Sequence, residues 1–541
     1  MLISCFRKSF GMLIFLSFLF STMSCVTTKE VWRTGRKIPM DTYSPKDRPI
    51  LSEIKPKTTQ TLSIPEKGPL KITVEDAILM ALENNRSLAV EKFNPSIRKT
   101  FEEQERAVFD PIIEAQISAI RSESGRLNQP VGYDESSANN IYQGTISLKQ
   151  FFPTGTFLEA DALAETTDSD LYNNPFSSTR LGLSVTQSLL RGFGADVNLA
   201  QLRQSQLETN ISQYELRGFS ESLLAQVETA YWDYALSQRQ IEIVVESLKL
   251  AKQQIAETEE MIKVGTMAEA ELAALQAELA AQQQELINAR SAQDSARLNL
   301  LRLLSPLGGA FWHRDVILIH PPRLPEIKLD KVESHVVLAI RIRPEINQAK
   351  LNIKQEDLEI VRTKNGLLPR MDLFITLGKT GYSDSFAGSV SDISGDSYDV
   401  MAGLNLEYPI FNRNAKAQHR RSLLRRDQAE MALSNLKQLI ELDLRNAYIE
   451  VDRTKEQISA STATRKFQEE KLRIETEKFR VGHSTNFFVA QAQRDLLLSR
   501  INEVQAVVSY LKALIQFYRL EGSLLERRGI KAPGQETVEY F

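Results

Sequence analysis

Cysteine is nearly absent. The 541 residues hold two, Cys5 and Cys25. Cys5 lies in what reads as a cleaved export signal, so a mature chain keeps at most one. That excludes an internal disulfide and a thiolate metal site. Long apolar runs are also missing: beyond the N-terminus no window of about eighteen residues is uninterruptedly apolar, so no transmembrane helix follows. Nor is there an excess of one charge. The 66 Lys and Arg nearly balance 69 Asp and Glu, and a net charge of −3 gives no pull toward nucleic acid. The five histidines (His313, His320, His335, His419, His483) are scattered, and the nearest pair, His313 and His320, sits in a linker. There is no phosphate loop, dinucleotide-binding glycine pattern, nucleophile elbow or metal pair. Acidic residues stand among Lys and Arg, as in "EEKLRIETEK", which is the composition of a solvated helix face. These absences argue against an enzyme and supply no catalytic residue, metal or cofactor.

What is present begins with Arg7 and Lys8 ahead of the apolar run "FGMLIFLSFLFSTM", the pattern of a signal peptide over residues 1–24. It ends at "STMSC", which resembles a bacterial lipoprotein signal whose cysteine, here Cys25, becomes the lipidated first residue. Thr22 stands where leucine is usual, and ordinary cleavage nearby is the alternative. Residues 25–70 are rich in Pro, Lys and Thr and read as an extended tether.

The body is an internal duplication. "VEDAILMALENNRSL" from Val74 aligns with "VESHVVLAIRIRPEI" from Val332, an offset of 258 that holds to Pro111 over Pro369. The offset falls to 221 near Leu183 over Leu404, so repeat 1 is longer by 37 residues in its middle. It falls to 217 by Ala230-Tyr231 over Ala447-Tyr448, leaving four more extra residues at "GFGADVN". The divisions expected are repeat 1 at 71–305, a linker at 306–330, repeat 2 at 331–525 and a C-terminal tail at 526–541.

Each repeat reads as helix, strand-like middle, then two long helices around a Val-Gly break. From about Leu207 to Lys263 there is no proline and only one glycine, Gly218. Ile241, Val244, Leu248, Ala251, Ile255, Thr258 and Ile262 recur at threes and fours, a heptad seam on a helix on the order of 85 Å long. The breaks are Val264-Gly265-Thr266 and Val481-Gly482-His483. The middles, about 110–190 and 370–411, alternate with period two. Ile113, Ala115, Ile117 and Ala119 share one face, as do Leu181, Leu183 and Val185; Leu373 and Ile375, and Leu404 and Leu406, repeat the pattern. This suits membrane β-barrel strands, and locally a soluble sandwich would look the same. Phe151, Phe152, Tyr382, Tyr398, Tyr408 and Phe411 near strand ends could form interface girdles. Within the extra 37 residues, Pro153-Thr154-Gly155 marks the turn of an added hairpin, which either joins the barrel or projects from it.

The twin Val-Gly breaks with Ala492-Gln493 and Leu275-Gln276 downstream, the strand exits "SVTQSLLRGFG" and "LEYPIFNRN", and the entry helix "TVEDAILMALENN" together resemble the TolC family of outer-membrane channels over about 72–525. The resemblance implies a mixed α and β fold. Three chains share one outer-membrane β-barrel, continued by a long α-helical barrel in the periplasm. It implies a homotrimer set in outer-membrane lipid, serving a periplasmic adaptor and an inner-membrane pump of RND or ABC type, in efflux or type I secretion. The two breaks become the periplasmic tips, where the partners dock. The family closes its entrance with acidic residues just beyond the breaks. Glu271 matches in repeat 1, but the matching positions in repeat 2 are Phe488 and Gln491, which implies an apolar or amide-lined gate. Phe487-Phe488 as ordinary tip packing is the alternative. A periplasmic adaptor or a structural coiled coil are the competing classes; the first should carry one hairpin between compact β domains, the second no strands.

Overall fold

Four long helices and one six-stranded sheet carry most of the described chain. The computed structural model describes residues 68–127, 134–169, 175–304, 309–322, 324 and 329–538. The expected signal peptide, Cys25 and nearly all of the tether lie outside the described residues. In chain order the elements are β1 (Leu70–Ile72), α1 (Val74–Asn84), α2 (Arg86–Glu91), α3 (Phe93–Arg106), β2 (Ile112–Leu127), β3 (Asp134–Phe151), β4 (Thr156–Ser169), β5 (Phe176–Ser188), α4 (Ala195–Asn198), α5 (Ala200–Lys263) and α6 (Ala270–Leu304). Then follow β6 (Val316–Leu318), α7 (Val332–Ile342), α8 (Pro344–Asn365), β7 (Arg370–Ser383), α9 (Phe386–Asp392), β8 (Tyr398–Glu407), α10 (Arg413–Arg480), α11 (Asn486–Glu521) and α12 (Leu524–Arg527).

Local chemistry starts these elements. At α1, the Thr73 side chain accepts from the Asp76 N–H while the Asp76 carboxylate accepts from the Thr73 N–H, a reciprocal cap. The 64 residues of α5 make a rod of about 96 Å. Its heptad seam turns inward: Val244, Ala251 and Thr258 are buried and Ile241, Leu248, Ile255 and Ile262 half-buried. The long helices lie in a row, α10 against α11, α11 against α5, and α5 against α6. Among the described residues no helix is long and apolar enough to cross a membrane.

The sheet is antiparallel throughout, in the order β2-β3-β4-β5-β7-β8. Its register puts Ile113, Ile117, Tyr142, Ile146, Leu148, Leu181, Leu183, Val400, Leu404 and Leu406 on one face, and all are exposed. Ile117 is 93 % exposed, which an isoleucine in water would not favour. An apolar outer face on tilted strands is what lipid selects. Toward the end away from the long helices, this face turns small and polar at Ser177, Thr179 and Gly381, because α9 lies over it. Thr179 and Ser389 hydroxyls meet at 2.7 Å, and a Cβ on Gly381 would stand 2.1 Å from the Ser389 carbonyl oxygen. Of the aromatics expected as girdles, Tyr398 falls on the apolar face. Phe151 and Tyr382 fall on the opposite face, where they stack on Phe109 (5.9 Å) and Phe176 (5.7 Å).

The added hairpin is β3–β4, and it lies inside the sheet, paired along its length to β2 on one side and β5 on the other. Its turn is seated on the other insertion. Gly155 has φ +86°, and a Cβ there would be 2.3 Å from the Gly192 carbonyl oxygen. Asn198 Nδ2 donates to the carbonyls of Pro153 (2.9 Å) and Gly192 (2.8 Å).

At the equator the chain's two halves are stitched together. β1 pairs in parallel with β6, Leu70 opposite Val316, and Tyr234 Oη donates to the Val316 carbonyl at 2.9 Å. Leu70, Ile72, Ile78, Tyr231, Leu300, Leu304, Ile346 and Phe517 fill the core around this strap. Charges are buried here too. Glu228 is held by two bonds from Arg528 (2.7 and 2.6 Å), and Glu521 by Arg527 (3.1 Å), Ser523 and His335. Arg217 meets Glu221 (3.4 Å), Glu526 (3.2 Å) and the Gly534 carbonyl (3.0 Å).

Burial pushes the Glu221 carboxyl up to about 7, against the opposing pull of Arg217. A carboxyl that stays protonated in the fold above its unfolded value favours the folded state at low pH. That contribution is full below about 4.5 and is lost as pH rises to about 7. Thermal unfolding should therefore show stability falling from pH 5 to pH 8 by up to about 3 kcal/mol per chain. Glu221→Gln should flatten that slope.

Candidate functional site: the helical tips and the polar face of the sheet

Both long hairpins turn with the same backbone device. Gly265 has φ 78° and Gly482 φ 75°. In the first, the Gly265 N–H donates to Ile262 (3.0 Å) and the Thr266 N–H to Met261 (3.0 Å). In the second, Gly482 donates to Phe479 (3.0 Å) and His483 to Lys478 (2.8 Å). This left-handed cap satisfies carbonyls that a helix end leaves open, and it needs glycine for its positive φ. Val264 and Val481 precede the glycines and are exposed, as are Thr266 and His483. Nothing lies within 4 Å of a Cβ built on either glycine, so the tips are free surface in the single chain.

The structure draws the two tips together through Glu271, which the sequence singled out, and through Asn486, Gln254 and Met267, which it did not. Glu271, at the start of α6, accepts the backbone N–H of Asn486 at 3.3 Å. Asn486 opens α11, whose N-cap Thr485 makes no side-chain bond, so the Glu271 carboxylate serves a helix N-terminus. Asn486 is fully buried, with Gln254 Nε2 donating to its Oδ1 (3.3 Å) and its own Nδ2 directed at Met267 Sδ (3.3 Å). The only sequence sign was an asparagine just past the break, in "STNFF". Phe488 is exposed and meets Phe487 edge-on at 5.6 Å, and Gln491 is half-buried. Glu271, Phe488 and Gln491 thus occupy one end of the hairpins, but only Glu271 bonds across them.

The sheet's polar face carries an ionic lattice invisible in the sequence. Lys149 on β3 bonds Glu114 on β2 at 2.5 Å and lies 3.7 Å from Glu159 on β4. Arg180 on β5 reaches Asp161 on β4 (3.6 Å) and, across β7, Asp399 on β8 (2.9 Å). Glycines make the room. A Cβ at Gly182 would lie 2.3 Å from an Asp161 oxygen, and one at Gly378 would lie 2.1 Å from an Asp399 oxygen and 2.6 Å from Arg180. Partly exposed pairs of this kind contribute at most about 1 kcal/mol each, so their effect is to line the face with fixed charge. Among the described residues no group of three or more His, Cys, Asp or Glu could hold a metal.

A sheet with one lipid-compatible face and one charged face, continued by rods of about 96 Å or more, defines a membrane channel protein extended away from the bilayer. The family model described as outer membrane efflux protein matches residues 77–305 and 336–523, and the chain belongs to that family. It is an outer-membrane efflux channel reaching into the periplasm, a transport protein and not an enzyme. Solved structures share the fold. The outer-membrane channel OprN is 18 % identical with TM-score 0.61, over 83 % of this chain and 89 % of that one. MtrE of Neisseria gonorrhoeae, in its open state, is 18 % identical with TM-score 0.59, over 84 % and 89 %. CmeC of Campylobacter jejuni is 15 % identical with TM-score 0.60, over 83 % and 86 %. No curated protein matches the chain.

Because the space around both tip glycines is open, a side chain there costs only the positive-φ strain, about 1 kcal/mol. If the tips carry the docking surface that the family resemblance implies, Gly265→Val and Gly482→Val should leave protein levels near wild type while transport falls several-fold. Export assays alongside membrane immunoblots check this; full transport by Gly482→Val would remove the tip from the docking surface.

Proposed function

We propose that three copies of this chain form one exit duct, which passes substrates from a periplasmic adaptor and an inner-membrane pump to the outside. The observation that carries this reading is a pair of unmatched edges on two levels. Among the described residues, β2 and β8 end the sheet, their outer edges without a partner strand over 16 and 10 residues. Hydrocarbon does not tolerate such groups, so another chain must pair them. Below, α10 ends the helix row and exposes Leu424, Met431, Leu442, Ile449, Phe467 and Ile474, spaced 7, 11, 7, 18 and 7 apart, a helical stripe awaiting another helix. One neighbour rotated about one axis covers both edges, and repetition closes a ring. The family resemblance supports three as the number. Heat-modifiable trimer bands in outer-membrane fractions are expected. A monomer in mild detergent, or recovery wholly from the soluble periplasm, would reject the ring and leave an adaptor or coiled-coil protein.

Two finer elements belong to this reading. Acylated Cys25, with the 25–70 segment as tether, adds a lipid anchor, read by fatty-acid labelling of wild type against Cys25→Ser. The pump is of RND or ABC type, serving efflux or type I secretion, and cross-linking from the tips followed by co-purification identifies it.

The tip geometry supports one reading of the gate. Glu271 already has a partner in the Asn486 N–H, which supports a constriction formed by Phe488 with Gln491 behind it rather than by carboxylates. Conductance of the purified channel should respond weakly to divalent cations on the periplasmic side, and Phe488→Asp should create a block. Strong block of wild type that Glu271→Gln abolishes would make Glu271 the gate instead.

A further inference from the structure

Where α6 and α11 end beside the middle of α5, the three helices leave a groove of about 410 Å³. α5 lines it with Ser222, Gln226, Thr229 and Asp233, a stripe along one side of the helix. The opposite side of α5, at Leu224 and Tyr231, is buried in the core. There Tyr231 and Tyr234 donate to the carbonyls of Ile72 and Val316 in the β1–β6 strap. The strap thus lies behind the helix row and the groove in front. In a closed ring the strap, with α1 and α7, must stand outside, since inside it would fill the bore. The groove then opens onto the duct.

Two arginines face each other's helix across this groove, Arg302 of α6 and Arg519 of α11. They are separated by the same 217 positions that relate the two tips, so they are one residue of the ancestral repeat. Each stands two residues before its helix ends. Each donates to an amide one turn back, Arg302 to Asn299 (3.2 Å) and Arg519 to Gln516 (3.0 Å), and these amides are also 217 apart. Among the described residues neither guanidinium forms an ion pair. Elsewhere on the long helices the position three residues back is a glutamate, as in Arg453 on Glu450 and Arg473 on Glu470. The one carboxylate in the groove, Asp233, is held by Lys512 at 2.8 Å. A cation in a last turn favours its helix end, which accounts for one arginine on each helix. It does not account for both lining one groove with amides in place of carboxylates.

We propose that this groove is a transit site for oxyanions, where a carboxylate or phosphate group on a passing solute is held between Arg302 and Arg519, so that the duct favours anionic cargo. The site rests on the exit-duct reading above. Guanidinium forks match the two oxygens of such groups, and the surrounding amides and hydroxyls of Gln226, Thr229 and Asn299 offer further bonds. Partial exposure keeps the hold weak enough for release: Arg302 is exposed and Arg519 half-buried.

Radiolabelled inorganic pyrophosphate, dialysed to equilibrium against the purified full-length channel, probes the site. It should bind saturably, one per chain. Arg302→Gln and Arg519→Gln should each weaken binding at least about tenfold, the loss of one charged hydrogen-bonding group. Arg302→Lys should weaken it less, since a point charge keeps the attraction and loses only the fork. Binding unchanged in both glutamine variants overturns the site. Should either variant lose its trimers, phenylglyoxal labelling of wild type decides. Pyrophosphate should then protect Arg302 and Arg519 and leave Arg480, exposed at the second tip, reactive; equal or absent protection overturns the site as well. Placement on the duct is read separately. In bilayers at about 10 mM KCl, charge acts over about 30 Å. There the chloride-to-potassium permeability ratio should fall at least about twofold in the Arg302→Gln/Arg519→Gln double variant. An unchanged ratio overturns the transit role. Monomers that still bind one pyrophosphate each would uphold the groove and reject the ring of three.

Discussion

Backbone N–H and C=O groups cannot be left open in hydrocarbon, and this constraint organises the whole molecule. It explains why the membrane part is a sheet although the rest is helical, and why that sheet is useless alone. β2 and β8 each offer a row of unmet hydrogen bonds at opposite borders of one chain. The helices below follow the same plan in a different solvent. There the unmet demand is apolar area, the Leu424-to-Ile474 stripe, and water rather than lipid drives it toward a partner. Two solvents with opposite preferences thus ask for the same neighbour, which makes one geometry satisfy both.

Much of this was legible because it is periodic or local. The seam from Ile241 to Ile262 gave a long helix, the Val-Gly pairs gave its end, and Ile113 to Ala119 gave a strand with one apolar face. α5 nevertheless begins at Ala200, several residues before the reading at Leu207, since polar residues such as Gln201 and Gln204 mask the start of the pattern. What the sequence concealed depends on register. Arg180 and Asp399 are 219 positions apart, and only the pairing of β5 with β7 and β7 with β8 makes them neighbours. The added hairpin alternates in the same way whether it joins the sheet or leaves it, so its place could not be read locally. Phe151 and Tyr382 misled for a related reason: nearness to a strand end says nothing about which face the parity selects. Glu271 was readable as an acid at the tip. Its use by the Asn486 amide requires the two hairpins to be side by side.

Duplication leaves a record of which constraints are shared. The tips turn by the same two hydrogen bonds in both repeats, as they must if both present themselves to one kind of partner. The membrane segments have diverged by two strands, and the sheet still closes its own ladder, because adding a whole hairpin preserves the alternation of strand direction. A single added strand would have reversed the chain and sent the next long helix out of the cell.

The C-terminal stretch looked like a tail, yet it holds the counter-ions for the equator. Arg528 neutralises Glu228, Arg527 shares Glu521, and Glu526 with the Gly534 carbonyl completes the surroundings of Arg217; Glu228, Glu521 and Arg217 are deeply buried, while the side chains that reach them from the tail are partly exposed. A chain lacking the residues after Glu521 would keep every described long helix and strand, but would bury uncompensated charge at its waist. The electrical balance of the equator therefore rests on a short segment that follows the last long helix.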